Sequence, residues 1–137
     1  MAVIEELIRT EADGSISFGN YELAAKTKKA DFEAGGDVYK VKTFRETTRL
    51  ERNDALVYES DPGTAVFSFR EDADSLSFTA EGPEDVQVVL GLEDNATYRV
   101  TLNGEDNGLM QTGMGGKLVL SLGLKEAGSI KAEIVRA

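Results

Sequence analysis

Three residue types are missing from this 137-residue chain: cysteine, histidine and tryptophan. Without cysteine there is no disulfide, no thiolate nucleophile and no cysteine-ligated metal. Without histidine there is no imidazole base near neutral pH, no serine–histidine–aspartate triad and none of the usual zinc sites. Any catalysis would have to use carboxylates, Lys, Tyr or Ser, and we expect no metal and no cofactor.

Long hydrophobic runs are missing too. No stretch approaches the roughly 20 apolar residues that span a membrane. The opening MAVIEELIRT lacks the basic and apolar regions of a signal peptide. We therefore expect a cytoplasmic protein with no membrane role, and take a bacterial source as a working assumption. The net charge of −10, from 15 basic and 25 acidic residues, argues against a nucleic-acid partner because an acidic surface repels phosphate backbones.

What the sequence does contain is an apolar–polar alternation of period two. The stretch KLVLSLGL at 117–124 places Leu at every second position, and SIKAEIV at 129–135 alternates in the same way. Short strands recurring every 8–12 residues with turn signals between them indicate an all-β protein. We predict an antiparallel two-sheet β-sandwich, immunoglobulin-like or jelly-roll-like, with roughly ten short strands and little helix.

One domain over residues 1–137 is predicted, because the second part of the chain is too short to bury a core without the first. Within it, residues 86–137 are predicted to form an immunoglobulin-like C-terminal β-meander. Asn103-Gly104 predicts a hairpin, since a type I′ turn needs positive φ at both central residues. Asn107-Gly108 and 113–116 are predicted to be the next reversals. Residues 24–37 lose the alternation and are interpreted as a connection with room for one helical turn.

Two motif-like segments do not meet the requirements of a ligand site. The glycine-rich run TGMGGKL at 112–118 ends in Gly-Lys-Leu, whereas a phosphate-binding loop needs Gly-Lys-Ser/Thr and a following helix. Acidic loops such as REDADS at 70–75 lack the spacing of a twelve-residue calcium loop. We interpret the first as a hairpin loop and the second as a solvated turn.

The most unusual stretch is VYKVKTFRETTRLER at 38–52, in which five of fifteen residues are basic in an acidic protein. Read as one strand, it places Arg45 and Arg49 on the same face about 13 Å apart, and neither face is cleanly apolar, so a bulge is expected to switch the buried side. Arginine offers a planar fork for carboxylates. The candidate ligand or interface residues are Tyr39, Lys40, Lys42, Arg45, Arg49 and Tyr58.

The same charges have a commoner structural explanation. They can pair with neighbouring Asp and Glu across an exposed sheet face, or be buried at a subunit contact, where Arg is enriched. The sequence leaves both alternatives open.

Two resemblances add to this. The run VVLGLEDNATYRVTLNGEDNGLMQTGMGGKLVLSL, about the last third of the chain, resembles the immunoglobulin-like accessory modules of bacterial polysaccharide-degrading enzymes. The whole chain, including YKVKTFRETTRLERNDALVYESDPGTAV, resembles small clostridial proteins labelled endosialidase. The sialidase-type enzymes that this label implies are similar to six-bladed propellers, which are much longer than this chain and carry an arginine triad and Ser-x-Asp-x-Gly-x-Thr-Trp boxes. No such box occurs here, so none of that family's functional residues maps onto this chain.

Three functions are compatible with these observations. The first, which we favour, is a non-catalytic β-sandwich that acts through self-association or contact with another protein. The alternative is a carbohydrate-binding accessory module for an anionic sugar, although such modules usually grip sugar rings with exposed aromatics. An enzyme that uses two carboxylates or a Tyr/Glu pair is the least favoured, and no catalytic residue is named.

Overall fold

The computed structural model describes residues 2–137 as two antiparallel β-sheets packed as a sandwich, with thirteen strands and one short helix. This confirms the all-β class and the two-sheet architecture, and the number of strands is close to the ten predicted. The helix, α1 (Leu124–Ala127), is far too short to cross a membrane, and no other helix occurs within the described residues.

Seven strands form the first sheet and six the second. The seven-stranded order is β1 (Ile8–Thr10), β2 (Ile16–Phe18), β7 (Ala65–Glu71), β8 (Ser75–Glu81), β13 (Ser129–Arg136), β10 (Thr97–Leu102) and β11 (Glu105–Gln111). The six-stranded order is β12 (Lys117–Leu122), β9 (Val86–Gly91), β6 (Ala55–Asp61), β5 (Thr47–Arg52), β4 (Asp37–Phe44) and β3 (Thr27–Ala34).

The core lies between the sheets and follows the alternation of the sequence. In β12, Leu118, Leu120 and Leu122 are buried while the residues between them are exposed. At the centre of the sandwich an aromatic cluster joins Tyr58 of the six-stranded sheet to Phe18, at 5.3 Å between ring centroids in an edge-to-face arrangement. Phe69 and Phe78 from the seven-stranded sheet complete this cluster. Such pairs are favourable beyond their burial alone.

The predicted C-terminal meander is wrong. Residues 86–137 are divided between the sheets, because β9 and β12 belong to the six-stranded sheet and β10, β11 and β13 to the seven-stranded one. Loops of five residues follow β9 and β11, long enough to cross the roughly 10 Å between packed sheets. The meander lies instead in β3–β6, whose strands are joined by two-residue turns that keep sequential strands adjacent.

Two other local predictions are also corrected. The segment interpreted as a connection at 24–37 contains β3, an edge strand exposed along most of its length, which has no need of apolar alternation. The stretch 38–52 is not one bulged strand but the hairpin β4–β5, which turns at Arg45 and Glu46.

The two Asn-Gly pairs have different outcomes. Asn103 and Gly104 have φ of 51° and 82° and form the predicted turn. Asn107 and Gly108 lie inside β11, where the ladder with β10 is interrupted by a bulge. The next reversal is at 113–116, as predicted.

Candidate binding surface

The six predicted residues lie in different surroundings. Lys40 and Lys42 extend from the outer side of β4, and Arg49 from the outer side of β5, because their neighbours along each strand are buried. Arg45 is exposed in the turn between the two strands. Tyr39 and Tyr58 point the other way, into the sandwich.

Both tyrosines are buried. Tyr58 is fully buried, and its hydroxyl hydrogen-bonds the Thr64 hydroxyl at 2.8 Å. Burial raises the pKa of Tyr58 to about 12, as expected when desolvation disfavours a phenolate. Tyr39 is only 8% exposed and lies opposite Arg52 on the inner side of the sheet. The prediction of a role in holding a surface ligand is therefore corrected for Tyr58, whereas Tyr39 lines two smaller depressions and its role stays a prediction.

The predicted pairing of Arg45 with Arg49 also changes. Because Arg45 is in the turn, the two arginines are not on one strand, and the 13 Å spacing does not apply. Arg49 instead faces Lys42 on β4, and Lys42 in turn faces Lys28 on the edge strand β3. Directly opposite residues share one side of a sheet. Lys28, Lys42 and Arg49 therefore form one row of cations across three strands.

We call the outer side chains of Lys28, Lys40, Lys42 and Arg49 the basic face. Arg49 donates from Nε to Glu51 at 3.0 Å and from Nη1 to Glu59 at 3.1 Å. Within residues 2–137 none of the three lysines has a carboxylate oxygen within 4 Å. Lys28 and Lys42 thus lie opposite each other with no ion pair to offset their repulsion.

The charges of the basic face act on one another. The hydrogen bond from Arg49 holds the pKa of the Glu51 carboxyl below its ordinary value, and the charges of Arg49, Lys40 and Lys42 lower it further. The same hydrogen bond raises the pKa of the Arg49 guanidinium. Glu51 therefore stays ionised at neutral pH, and it offsets part of the positive charge around it.

Beside the basic face an open depression of about 860 Å³ reaches the turn between β4 and β5. Its walls include the half-buried ring of Phe44 and the side chains of Lys26 and Arg45. The Lys26 ammonium lies 5.9 Å from the centre of the Phe44 ring, within the range of a cation–π contact. Gln87 and the carboxylates of Glu46, Glu59 and Asp61 also line the depression. The depression combines one aromatic ring with hydrogen-bonding groups of both charges.

A buried hydroxyl network supports the sheet behind this depression. Thr43 and Thr48 are bonded through their hydroxyls at 2.8 Å, and Thr48 donates to the Thr64 carbonyl at 2.9 Å. The Thr64 hydroxyl also bonds Tyr58 and Ser60. Because each of these buried hydroxyls has a partner, the network holds the corner between β6 and β7 against the β4–β5 hairpin.

A second cavity, of about 510 Å³, opens at the opposite end of the hairpins. Arg52 in its wall bonds Glu71 through a 2.6 Å salt bridge. Since β5 and β7 belong to different sheets, this ion pair links the two layers. Because the Arg52 guanidinium and the Glu71 carboxylate already pair with each other, we assign Arg52 a structural role rather than a role in ligand binding.

Sequence reasoning missed Lys26, Lys28, Phe44 and Gln87. Lys26 and Lys28 lie within the segment interpreted as a connection, and Gln87 belongs to a strand that is distant in sequence. Only the register of β3 with β4 brings Lys28 to Lys42. The one available signal was the run of lysines at 26–29, which is typical of an exposed edge strand.

Comparison of the chain with protein-family models, with curated proteins and with solved structures finds no match in any of the three. The resemblances to immunoglobulin-like accessory modules and to endosialidase-labelled proteins stay predictions. No group of three or more Asp or Glu side chains within residues 2–137 is arranged to hold a metal ion.

Proposed function

We propose that the chain is a non-catalytic binding module that acts through contact with another protein, and that the basic face is its contact surface. The observation that carries the proposal is the unpaired Lys28–Lys42 juxtaposition. Like charges directly opposite in a sheet are unfavourable. Glu51 offsets only part of this positive charge, and a partner that supplies carboxylates would relieve the rest.

Edge protection accounts for only part of this pattern. Lysines on an edge strand discourage pairing with other chains, and Lys28 lies on such a strand. Lys40 and Lys42 lie on the second strand, where they guard no edge. Their positions therefore support a role in recognition.

The charge distribution supports an acidic partner. Residues 26–52 contain eight basic and five acidic residues, a net charge of +3, while the rest of the chain carries −13. A two-fold contact of this face with its own copy would bring like charges together, since an isologous interface uses the same patch twice. A different protein with an acidic surface fits the basic face better than a two-fold copy does.

The proposal can be tested with a defined acidic probe. We expect an extended peptide with Glu at alternate positions to bind the protein at low ionic strength and to lose affinity as salt rises. Replacing Lys28 and Lys42 together by Ser should weaken binding by about tenfold, from the usual strength of exposed ion pairs. Fluorescence polarisation with a labelled peptide measures both effects.

The matched control replaces Lys125 and Lys131 by Ser. These lysines are exposed and lie outside β3–β5, so the variant has the same net charge as the test variant. Equal loss of affinity in the two variants would reduce the effect to overall charge and contradict a specific contact surface.

Anionic carbohydrate is the second candidate ligand, and the depression at Phe44 is the observation that favours it. Carbohydrate sites commonly combine an aromatic ring with planar hydrogen-bonding groups, and here Phe44, Arg45 and Gln87 line one depression. Under this candidate, the Arg45 guanidinium binds the sugar carboxylate and the ring of Phe44 packs against the sugar.

Sialyllactose and oligogalacturonate are suitable probes. Under this candidate, either one raises the melting temperature of the wild type, and Arg45→Ser abolishes the shift because the guanidinium is removed. Neutral lactose is the matched ligand control. The absence of any shift with the acidic sugars at millimolar concentration would leave protein contact as the proposal for this surface.

A further inference from the structure

The four edges of the two sheets are β1, β3, β11 and β12. Three of them carry features that discourage pairing with another chain. β1 has only three residues, and β11 is bulged and begins with Glu105 and Asp106. β3 carries Lys28 and Lys29 and a register shift before Phe32. Short, bulged or charged edges resist strand addition.

The β12 edge has none of these features. Its six residues pair with β9 in an uninterrupted register. It contains no proline and no acidic residue, and its single charge, Lys117, is at one end. On the outer side Val119 is 49% exposed. Among residues 2–137, β12 pairs with β9 alone, so its other edge presents unpaired backbone groups.

From these observations we propose that β12 pairs antiparallel with β12 of a second copy of the chain, around a two-fold axis at Val119. The two six-stranded sheets then form one continuous sheet of twelve strands. The inference concerns a surface separate from the basic face and is independent of the function proposed for that face.

The strand is self-complementary in this register. Residues directly opposite must lie on the same side of the sheet. Pairing Val119 with Val119 of the second copy places Leu118 opposite Leu120, so the leucines of both copies stay on the core side. On the outer side Lys117 lies opposite Ser121, and no like charges meet. Val89 already neighbours Val119 within each copy, so four valines form one apolar row across the axis.

The same geometry limits the assembly to a dimer. An isologous contact uses the β12 edge of both copies and leaves no second copy of that edge free. The outer edges of the twelve-stranded sheet are then the two β3 strands, whose lysines and register shift resist further addition. A larger assembly is not expected.

Sedimentation velocity over a hundredfold range of concentration tests the proposal. We expect a wild-type dimer, and we expect Val119→Lys to raise the dissociation constant by about a hundredfold or more, because like charges brought together at an interface are strongly unfavourable. The matched control is Val135→Lys, which adds the same charge at a valine of similar exposure, 47%, on an interior strand of the other sheet. Circular dichroism confirms that each variant is folded.

Mixing two variants tests the register itself. Val119→Glu and Val119→Lys should each be monomeric alone and should form a heterodimer when mixed, because the two new side chains lie opposite each other across the axis. A register centred on Leu120 places position 119 opposite Ser121 and gives no such rescue. The proposal is overturned by a wild type that stays monomeric, by an oligomer larger than a dimer, by a dimer that Val119→Lys leaves intact, or by folded variants that do not pair when mixed.

Discussion

The two edges of the six-stranded sheet differ in almost every respect, although one row of paired residues joins them. The row runs through Lys28, Lys42, Arg49, Glu59, Val89 and Val119. At the β3 end it is cationic and exposed, and at the β12 end it is apolar. The inner side differs as well, because β12 buries three leucines while β3 is only partly covered near its end.

This difference separates the charge of the sheet from the part of the sheet that builds the core. The β3 end contributes little to the core, so charge can be concentrated there at small cost to folding. The buried leucines anchor β12 in the sandwich. Its free edge can therefore expose unpaired backbone groups while the strand stays packed. Variants at one end of the sheet, compared with variants at the other end, test whether the β12 end carries more of the stability than the β3 end.

The largest difference is expected from truncating one side chain at each end. Leu120→Ala should reduce the free energy of unfolding by about 2–5 kcal/mol, because it leaves a cavity at a fully packed position. Phe32→Ala on β3 should reduce it by about 1–2 kcal/mol, since part of that ring already contacts water. Urea denaturation measures both. Equal losses would mean that β3 is as firmly anchored as β12.

The next effect concerns the β9–β6 pairing that connects β12 to the rest of the sheet. A Cβ added at Gly91 would lie 1.9 Å from the Leu56 carbonyl oxygen, so Gly91→Ala should force the strands apart and cost about 1–3 kcal/mol. Gly82→Ala is the control, because its added Cβ finds its nearest atom at 3.6 Å. Similar unfolding midpoints for the two variants would show that the backbone around Gly91 and Leu56 shifts to accommodate the added Cβ at little cost.

A smaller effect, of opposite sign, is expected at the cationic end. Lys42→Thr removes the repulsion with Lys28 and should raise the free energy of unfolding by a few tenths of a kcal/mol at low salt. The gain should shrink at high salt as the charges are screened. Lys131→Thr is the control, since Lys131 faces Thr79 on one side and Asn103 on the other, and neither is charged. A loss of stability in Lys42→Thr would mean that the attraction of Lys42 to Glu51 outweighs its repulsion with Lys28.

The smallest effect should appear in the pH dependence. The pKa of Glu51 is lowered by the hydrogen bond from Arg49. A carboxyl whose folded-state pKa is depressed contributes stability above its ordinary value of 4.5, and this contribution is lost as the pH falls from there through the lowered pKa. Glu51→Gln should therefore reduce the acid-induced drop in urea midpoint slightly. Parallel midpoint curves for variant and wild type would exclude this contribution.

The sequence predicted the β12 end of the sheet much better than the β3 end. Leu118, Leu120 and Leu122 are buried on one face of β12, so the strand needs an apolar residue at every second position, and the sequence shows this alternation. β3 is exposed, and an exposed edge strand has no periodic apolar signal. The two Asn-Gly pairs show a further limit: the same dipeptide turns the chain at 103–104 and bulges it at 107–108, because β11 continues its pairing with β10 beyond the second pair.

The candidate surface was only partly predictable for the same reason. The basic residues of 38–52 are visible in the sequence, and Lys40, Lys42 and Arg49 lie on one outer face. Which of them lacks a partner depends on the register. Arg49 is paired with Glu51 and Glu59, whereas Lys42 faces Lys28. The burial of Tyr39 and Tyr58 depends on which side of β4 and β6 faces the second sheet, and local sequence does not determine that.

The buried phenol of Tyr58 allows unfolding to be followed by ultraviolet absorption. With no tryptophan in the chain, near-ultraviolet absorption comes mainly from four tyrosines. In the unfolded chain Tyr58 ionises near pH 10, but in the folded protein its pKa is about 12. The contribution of this phenol to the free energy of unfolding is therefore fully present below pH 10 and is lost as the pH rises through 12. Part of the red-shifted phenolate band then appears only when the core opens, so a rapid jump to alkaline pH converts absorbance against time into a label-free record of unfolding.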